Sequence, residues 1–537
     1  MREVDFMYIY FGDELKEHVE NSLESIFKSR FILKDLDSYI TTPNDRKVCC
    51  LYGLRRTGKT IMMLQEIKNI SNYDTTLLLS CDGEETMWQV KEAIEVHRNC
   101  KFIFIDEITK ARNFIGTCSF LADRYAIEGK KIVLSGTDSL GFFLAKNNEL
   151  YDRAHLLHTT YISFKEYKYL LNKDIISYIK FGGTLTDGEL IYNKDNLNEY
   201  SNTAIVYNII HSLQKWNRGE NYANQILSDI IDHNDLPSFI TKVIEYHNRR
   251  FLVKMINSDF KSHDLGSLVE LMTKSTSVNT DIIDTDSVCD RIRIYLGVKE
   301  NPFNIVDTKA VNTIIQYLKD MDVLWQLPKT ESEEEYIFTQ PGMRYCQAEA
   351  LAVALCESEE FQIYNDVEKD QILNKLKEDI CGGILEDIVF YQTTLSAKEF
   401  NVTGDTIRVT KYRDVSDREI DVLVKNLSTR TSVAIEVKLS DKCVKDQCKH
   451  LNDEEFCKNI ENATGTHIIN KIVLYRGKTR FSEEFKIVYI NVEEFLCKTQ
   501  KYLESLLKKN IYNSVDFYKQ FVYKGTAFTS LGTTNLF

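Results

Sequence analysis

Proline and glycine are scarce in this chain, at 5 and 22 of 537 residues. Collagen-like, polyproline and low-complexity architectures are thereby excluded. Long apolar runs are also missing: no stretch reaches the roughly 18–20 residues that span a bilayer. The opening MREVDFMYIYFGDELKE is charged where a secretory leader would be apolar, so a cytoplasmic chain with no membrane partner is expected. Net positive charge is absent as well. Against 67 Lys and Arg stand 80 Asp and Glu, a balance of −13 that disfavours indiscriminate phosphate binding by the whole surface. Thirteen Cys show no CxxC…CxxC spacing, and the densest group, Cys443, Cys448, His450 and Cys457, fits no common zinc pattern.

What is present is ordinary globular composition, 43% hydrophobic and 27% charged, in a chain long enough for several domains. Residues 1–45 read as a helical lead with Phe27, Phe31, Leu33 and Leu36 as apolar contacts. Over 46–165 the texture changes. Short apolar runs, KVCCLY, TTLLLSC, KFIFID, KIVLSG and HLLHTTYIS, alternate with helical stretches, the pattern of a doubly wound, mostly parallel sheet. Residues 166–285 read as a helical lid or bundle. Over 286–345 a helix, a Pro-containing turn, a second helix and two short strands suggest a winged helix. Mixed α/β texture returns over 346–500, and 501–537 form a helical tail.

The strand KVCCLY runs into Gly53-Leu54-Arg55-Arg56-Thr57-Gly58-Lys59-Thr60, a GxxxxGK[ST] loop followed by a helix. Backbone amides of such a loop, here Gly53, Arg56, Thr57 and Gly58, surround the phosphates of ATP. Lys59 would reach the β/γ-phosphates and Thr60 would ligate Mg2+. The run KFIFI ends in Asp106-Glu107, so Asp106 is expected to hold Mg2+ and Glu107 to polarise the attacking water. Thr137, after KIVLSG, is placed to sense the γ-phosphate, and Arg153, just before the fifth run, is a candidate arginine finger within a chain or across a homo-oligomer. An extra strand between the two motifs and the acid beside Asp106 put this core in the additional-strand, catalytic-Glu division of P-loop NTPases.

The succession GLRRTGKT, FIDEI, LSGTDSL and DRAH…ISFKEY resembles a large group of prokaryotic AAA-type ATPases of the archaeal-ATPase kind. The resemblance covers about 47–492 and implies a winged helix and a C-terminal restriction-endonuclease-like α/β domain after the ATPase. The chain departs from the group's pattern at Asp152, where Gly is usual, and at Gly136-Thr137, where Gly-Ser is usual.

Near the C-terminus, EIDVLV and SVAIEVK are alternating strands joined by KNLSTRT. A hairpin centred near Ser428 and Thr429 would set Asp421 opposite Glu436, with Lys438 on the same face and Ile420, Val422, Val433, Ile435 and Val437 on the other. This looks like the D…ExK arrangement of PD-(D/E)xK nucleases, in which acids bind Mg2+ and the lysine positions water. Glu386, in a helix opened by Gly382-Gly383, matches that site's helical acid. Two functions stay open: an ATP-dependent nucleic-acid-processing or defence protein, or a nucleotide-operated switch whose C-terminal sheet binds DNA or a protein partner without cutting.

Overall fold

The alternating apolar runs between residues 47 and 163 supply five strands of one six-stranded sheet in a computed structural model. The structure describes residues 7–139, 141–142, 145, 149–185, 205–206, 208–209, 236–259, 308–327, 335–401, 406–414, 416, 418–485 and 487–506. Strands β1 (Met7–Phe11), β2 (Val48–Tyr52), β3 (Thr76–Cys81), β4 (Phe102–Asp106), β5 (Lys131–Gly136) and β6 (Ala154–His158) lie in the order β1-β3-β4-β5-β2-β6. All neighbours are parallel except β1 and β3. Central strands are buried on both faces, as continuous apolar runs require. One core layer lies under the helices Gly12–Ser22, Leu33–Thr41 and Lys59–Ile70, the other under Met87–Val96 and the turns that follow β4.

The lead differs from its expected all-helical form. Residues Met7–Phe11, MYIYF, make an edge strand antiparallel to β3. Aromatic and β-branched side chains in alternation suit a half-buried pleat better than a helix. Phe27 is also no core contact: it is 90% exposed, and Phe31 is exposed too, whereas Leu36 is fully buried.

After the sheet, helix Thr308–Asp320 leads into a two-stranded antiparallel ribbon, β7 (Leu324–Gln326) and β8 (Tyr336–Phe338). The first helix expected for the winged element and the acidic tip at 331–334 lie outside the described residues, as does most of the 166–285 region. Helix Pro341–Glu357 runs through the boundary expected at 345/346.

A second six-stranded sheet follows: β9 (Ile407–Arg413), β10 (Glu419–Asn426), β11 (Thr431–Val437), β12 (His467–Tyr475), β13 (Arg480–Ser482) and β14 (Ile487–Asn491), in the order β13-β14-β12-β11-β10-β9. The long helix Asp366–Asn401 covers one face, and helix Glu454–Thr464 covers the other. The core on the first face is continuous with Ile162, Phe164 and Tyr178, from the segment that leaves β6. An ion pair between Lys168 Nζ and Glu493 Oε2 at 2.5 Å and a bond from Ile175 N–H to Glu493 Oε1 at 3.0 Å fasten the two parts together. All described cysteines are free thiols. No helix among the described residues is long and apolar enough to cross a membrane.

His247, in helix Leu236–Asp259, is buried beside the Tyr336 ring, with centroids 4.9 Å apart. Burial, followed by the charges of Arg344 and Arg250, pulls its pKa down to about 4. The unfolded chain therefore takes up a proton between pH 6.5 and 4 that the folded chain refuses, so stability present above pH 6.5 is lost as pH falls through that window. A His247→Phe variant should lose less stability than the parent between pH 7 and pH 4, by about 3 kcal/mol at most. Urea titrations at the two pH values read the difference.

Candidate functional site

At the C-terminal end of β2 the chain turns sharply at Gly53, whose φ is +151°. A Cβ there would stand 2.4 Å from Thr159 Oγ1 and 2.8 Å from the Thr160 amide nitrogen, so the turn passes too close to the exit of β6 for any side chain. Gly58, at φ +86°, then starts helix Lys59–Ile70. Between them Thr57 is fully buried, its hydroxyl bonded to Leu54 O at 2.9 Å and to Thr159 Oγ1 at 2.8 Å. Arg56 is exposed at φ +62°, and its carbonyl accepts the Leu185 N–H at 2.8 Å. The Lys59 ammonium is buried and donates to Gly53 O and Leu54 O, each at 2.8 Å. Burial pulls its pKa down to about 8 against the opposing charges of Glu107 and Asp106.

The acids at the end of β4 meet this loop. Asp106 is held by two hydroxyls: Thr60 Oγ1 donates to Oδ2 at 2.8 Å and Ser135 Oγ donates to Oδ1. Burial and then the charge of Glu107 raise its pKa, while the hydroxyls work the other way. Glu107 sits at φ +54° and accepts the Thr137 hydroxyl at 3.0 Å. Lys59, Thr60, Asp106, Glu107 and Thr137 thus gather at one end of the sheet. Arg153 does not join them. It precedes β6, where Val48 N–H bonds its carbonyl, so it sits at the opposite end, about 16 Å of strand away. Its guanidinium pairs with Asp123 at 3.1 Å. The neighbouring Asp152 has φ +55°, a conformation that glycine adopts freely, which accounts for the usual residue at that position.

One residue of this site carries no motif. Arg30 is buried, its Nε 2.8 Å from Glu166 Oε1, and its other nitrogens reach Thr57 O at 2.5 Å, Thr159 O at 3.2 Å and Tyr161 O at 3.1 Å. Glu166 Oε1 also accepts the Phe31 N–H at 2.6 Å. The pair therefore ties the lead, the phosphate-loop sequence and the exit of β6 to helix Phe164–Leu171.

In the second sheet Val422 lies opposite Ile435, so the next rung sets Asp421 against Glu436. Asp421 Oδ2 accepts the Val437 N–H at 2.7 Å, and Lys438 Nζ stands 2.8 Å from Glu436 Oε2 and 3.7 Å from Asp421 Oδ2. Ile420 departs from the expected face. A register shift between Ile420 and Leu423 turns it toward the Leu423 and Ala434 side, away from Val422 and Ile435. Glu386 also departs from its expected setting: Gly382 and Gly383 do not open its helix but lie inside Asp366–Asn401. Burial, then the charge of Asp421, raises the Glu386 pKa, and burial pushes Asp421 up to about 7. Glu436 is also buried, yet Lys438 and His450 outweigh that burial and hold its pKa below the usual value.

His450, at first grouped with the cysteines, thus belongs beside the acids: its Nδ1 is 3.8 Å from Glu436 Oε1 and 3.2 Å from Glu419 O. Glu436 Oε1 itself is buried without a hydrogen-bond partner. Among the described residues no three His, Cys, Asp or Glu side chains form a ready-made metal cage.

A glycine-rich anion loop between β2 and its helix, with hydroxyl-braced acids on β4 in a parallel-dominated sheet, defines a P-loop NTPase fold. Residues 45–168 match the family model of an AAA domain, so this part of the chain is an AAA-type, nucleotide-binding P-loop domain. No curated protein matches the chain. Solved structures with some likeness include the Aeropyrum pernix ORC1 protein in complex with DNA, at 14% identity over 62% of this chain and 93% of that one, TM-score 0.22. Another is the S. cerevisiae Hsp104–ADP complex, at 11% identity over 86% of this chain and 66% of that one, TM-score 0.26.

Breaking a buried ion pair strands an uncompensated charge, at about 3–5 kcal/mol. Arg30→Met should therefore lower the thermal midpoint sharply. Adding Glu166→Leu should recover much of the loss, as melting of both variants would register.

Proposed function

We propose that the chain binds and hydrolyses ATP at its AAA-type domain and uses that cycle to drive nucleic-acid processing or defence by a PD-(D/E)xK nuclease-like C-terminal domain. The observation that carries this reading is the meeting of Lys59, the Thr60–Asp106 pair and the Glu107–Thr137 pair at one end of the sheet. The loop amides of Gly53, Arg56, Thr57 and Gly58 hold the phosphates, and Lys59 neutralises the β/γ end. Thr60 and Asp106 offer two hard oxygen donors 2.8 Å apart, a fit for Mg2+. Glu107 orients and polarises the attacking water, and Thr137, already bonded to Glu107, reads the γ-phosphate. Arg153 has a role only toward a nucleotide held by another copy.

The C-terminal acids also suit Mg2+, which takes one or two carboxylates and keeps its waters. Asp421 and Glu436 would hold it, with Glu386 beside them. In support, Glu436 Oε1 is buried without a hydrogen-bond partner, and burial first, then neighbouring carboxylates, raises the Asp421 and Glu386 pKa values, a cost that a divalent cation would offset. The bound ion would supply charge for the phosphodiester, and Lys438 would position the water that attacks it. A second reading, a nucleotide-operated switch that holds DNA or a protein without cutting, is favoured by the core shared between the segment leaving β6 and the second sheet. That packing would pass on a change of shape whether or not anything is cut.

Lys59→Ala should abolish ATP binding and turnover. Glu107→Gln should keep binding while turnover falls by roughly 10²–10⁴, the usual worth of a positioned base. With Mg2+ and ATP, cleavage of a panel of DNA and RNA forms should vanish in Asp421→Ala and in Glu436→Ala. Unchanged turnover in both ATPase variants removes the first assignment. No cleavage of any substrate, or cleavage that survives both carboxylate changes, removes the nuclease and leaves the switch.

A further inference from the structure

Two loops meet at the end of the second sheet that carries Lys438. The first, 438–449, follows β11; the second, 476–480, follows the neighbouring parallel strand β12. They are locked together: Arg476 N–H bonds Ser440 O at 3.0 Å, and a Cβ on Gly477 would stand 2.6 Å from Asp441 O and 2.3 Å from the Tyr475 ring. The second loop is braced along its length. Asn491 Nδ2 donates to Arg476 O at 3.1 Å and to Gly477 O at 2.9 Å, the Tyr475 hydroxyl donates to Lys478 O, and the Thr479 hydroxyl donates to Glu494 at 2.8 Å.

With the backbone occupied in this way, the cationic side chains point outward. Arg476, Lys478 and Arg480 on one loop and Lys442, Lys445 and Lys449 on the other are all exposed. None of the six has a carboxylate within 4 Å among the described residues, although Asp441 and Asp446 lie in the first loop, Arg480 bonds the Cys443 side chain, and Asp174 is close enough for its charge to feel Arg476. On a chain of net charge −13, six exposed cations on two interlocked loops form a local exception.

We infer that this platform is a binding surface for the sugar–phosphate backbone of a nucleic acid, which it holds across the Asp421–Glu436–Lys438 cluster. The first loop, which begins at Lys438, continues directly from β11, the strand that carries Glu436, and the second from its paired neighbour β12, so a nucleic-acid strand lying on the cations passes the acids. Rigid loops lose little freedom on binding, and exposed cations release counterions from phosphates. The choice of nucleic acid over another polyanion rests on the nuclease-like reading of those acids.

The test measures binding by the full-length protein without divalent metal, so it does not depend on cleavage. Fluorescence anisotropy with labelled duplex DNA, single-stranded DNA and single-stranded RNA is followed across a salt series. Six phosphate contacts give a slope of log affinity on log salt near −5 for duplex DNA. The triple variant Arg476→Ala, Lys478→Ala, Arg480→Ala should weaken binding at least tenfold and flatten the slope by about 2 to 3. Lys442→Ala with Lys445→Ala should flatten it by a further 1 to 2. Unaltered ATP binding by the variants verifies the fold. Which of the three probes binds tightest identifies the nucleic acid. Equal affinity and slope in parent and variants overturns the proposal, as does complete displacement by polyglutamate at matched charge, which would point to an acidic protein. Binding that persists with no cleavage under Mg2+ would leave the platform standing while the nuclease reading falls.

Discussion

A single guanidinium holds the nucleotide-binding part of this protein in register with everything that follows it. Arg30 is buried and spends its nitrogens on the carbonyls of Thr57, Thr159 and Tyr161 and on the carboxylate of Glu166. A planar donor fork fits this task, since lysine could meet only some of these acceptors at once. Because one acceptor lies in the phosphate loop and another begins the route to the second sheet, a shift in the loop cannot be absorbed locally. It strains a buried charge pair, and buried pairs tolerate little displacement.

The same economy appears at the end of β4. Asp106 has each oxygen occupied by a hydroxyl from a different strand or helix, and Glu107 is aimed by Thr137. These acids are oriented by protein groups before any ligand arrives, which is the condition for preorganised electrostatics. In the second sheet the bulge near Asp421 does comparable work: a shifted residue lets the carboxylate accept the Val437 amide and still face Lys438.

How much of this could be read from the chain follows from the range of the interactions. Strands β2 to β6 were legible because each is a continuous apolar run, and the phosphate loop because its glycines are local requirements. The hairpin register at Asp421 and Glu436 was legible from the turn alone. Strand β1 was not, since five residues between charged neighbours carry too little periodicity to compete with the helices beside them. Ile420 was set on the wrong face because a bulge is a property of paired backbones and leaves no mark on side-chain alternation. Arg30 gave no signal at all. Its partner Glu166 is far along the chain, and only the folded sheet brings them together. His450 sits nearer its carboxylate in sequence, but among its neighbouring cysteines it stood only as a member of a group whose spacing fits no zinc site.

The placement of Arg153 has one more implication. The phosphate loop opens from the carboxyl ends of the parallel strands, while Arg153 marks the amino ends, beyond the full length of β6. If this guanidinium meets a bound triphosphate, a second copy must hold that triphosphate, with the amino ends of one sheet facing the carboxyl ends of the other. Stacked head to tail, such contacts close into rings or extend as filaments; set side by side about a two-fold axis, they make a dimer in which each copy completes the other's site.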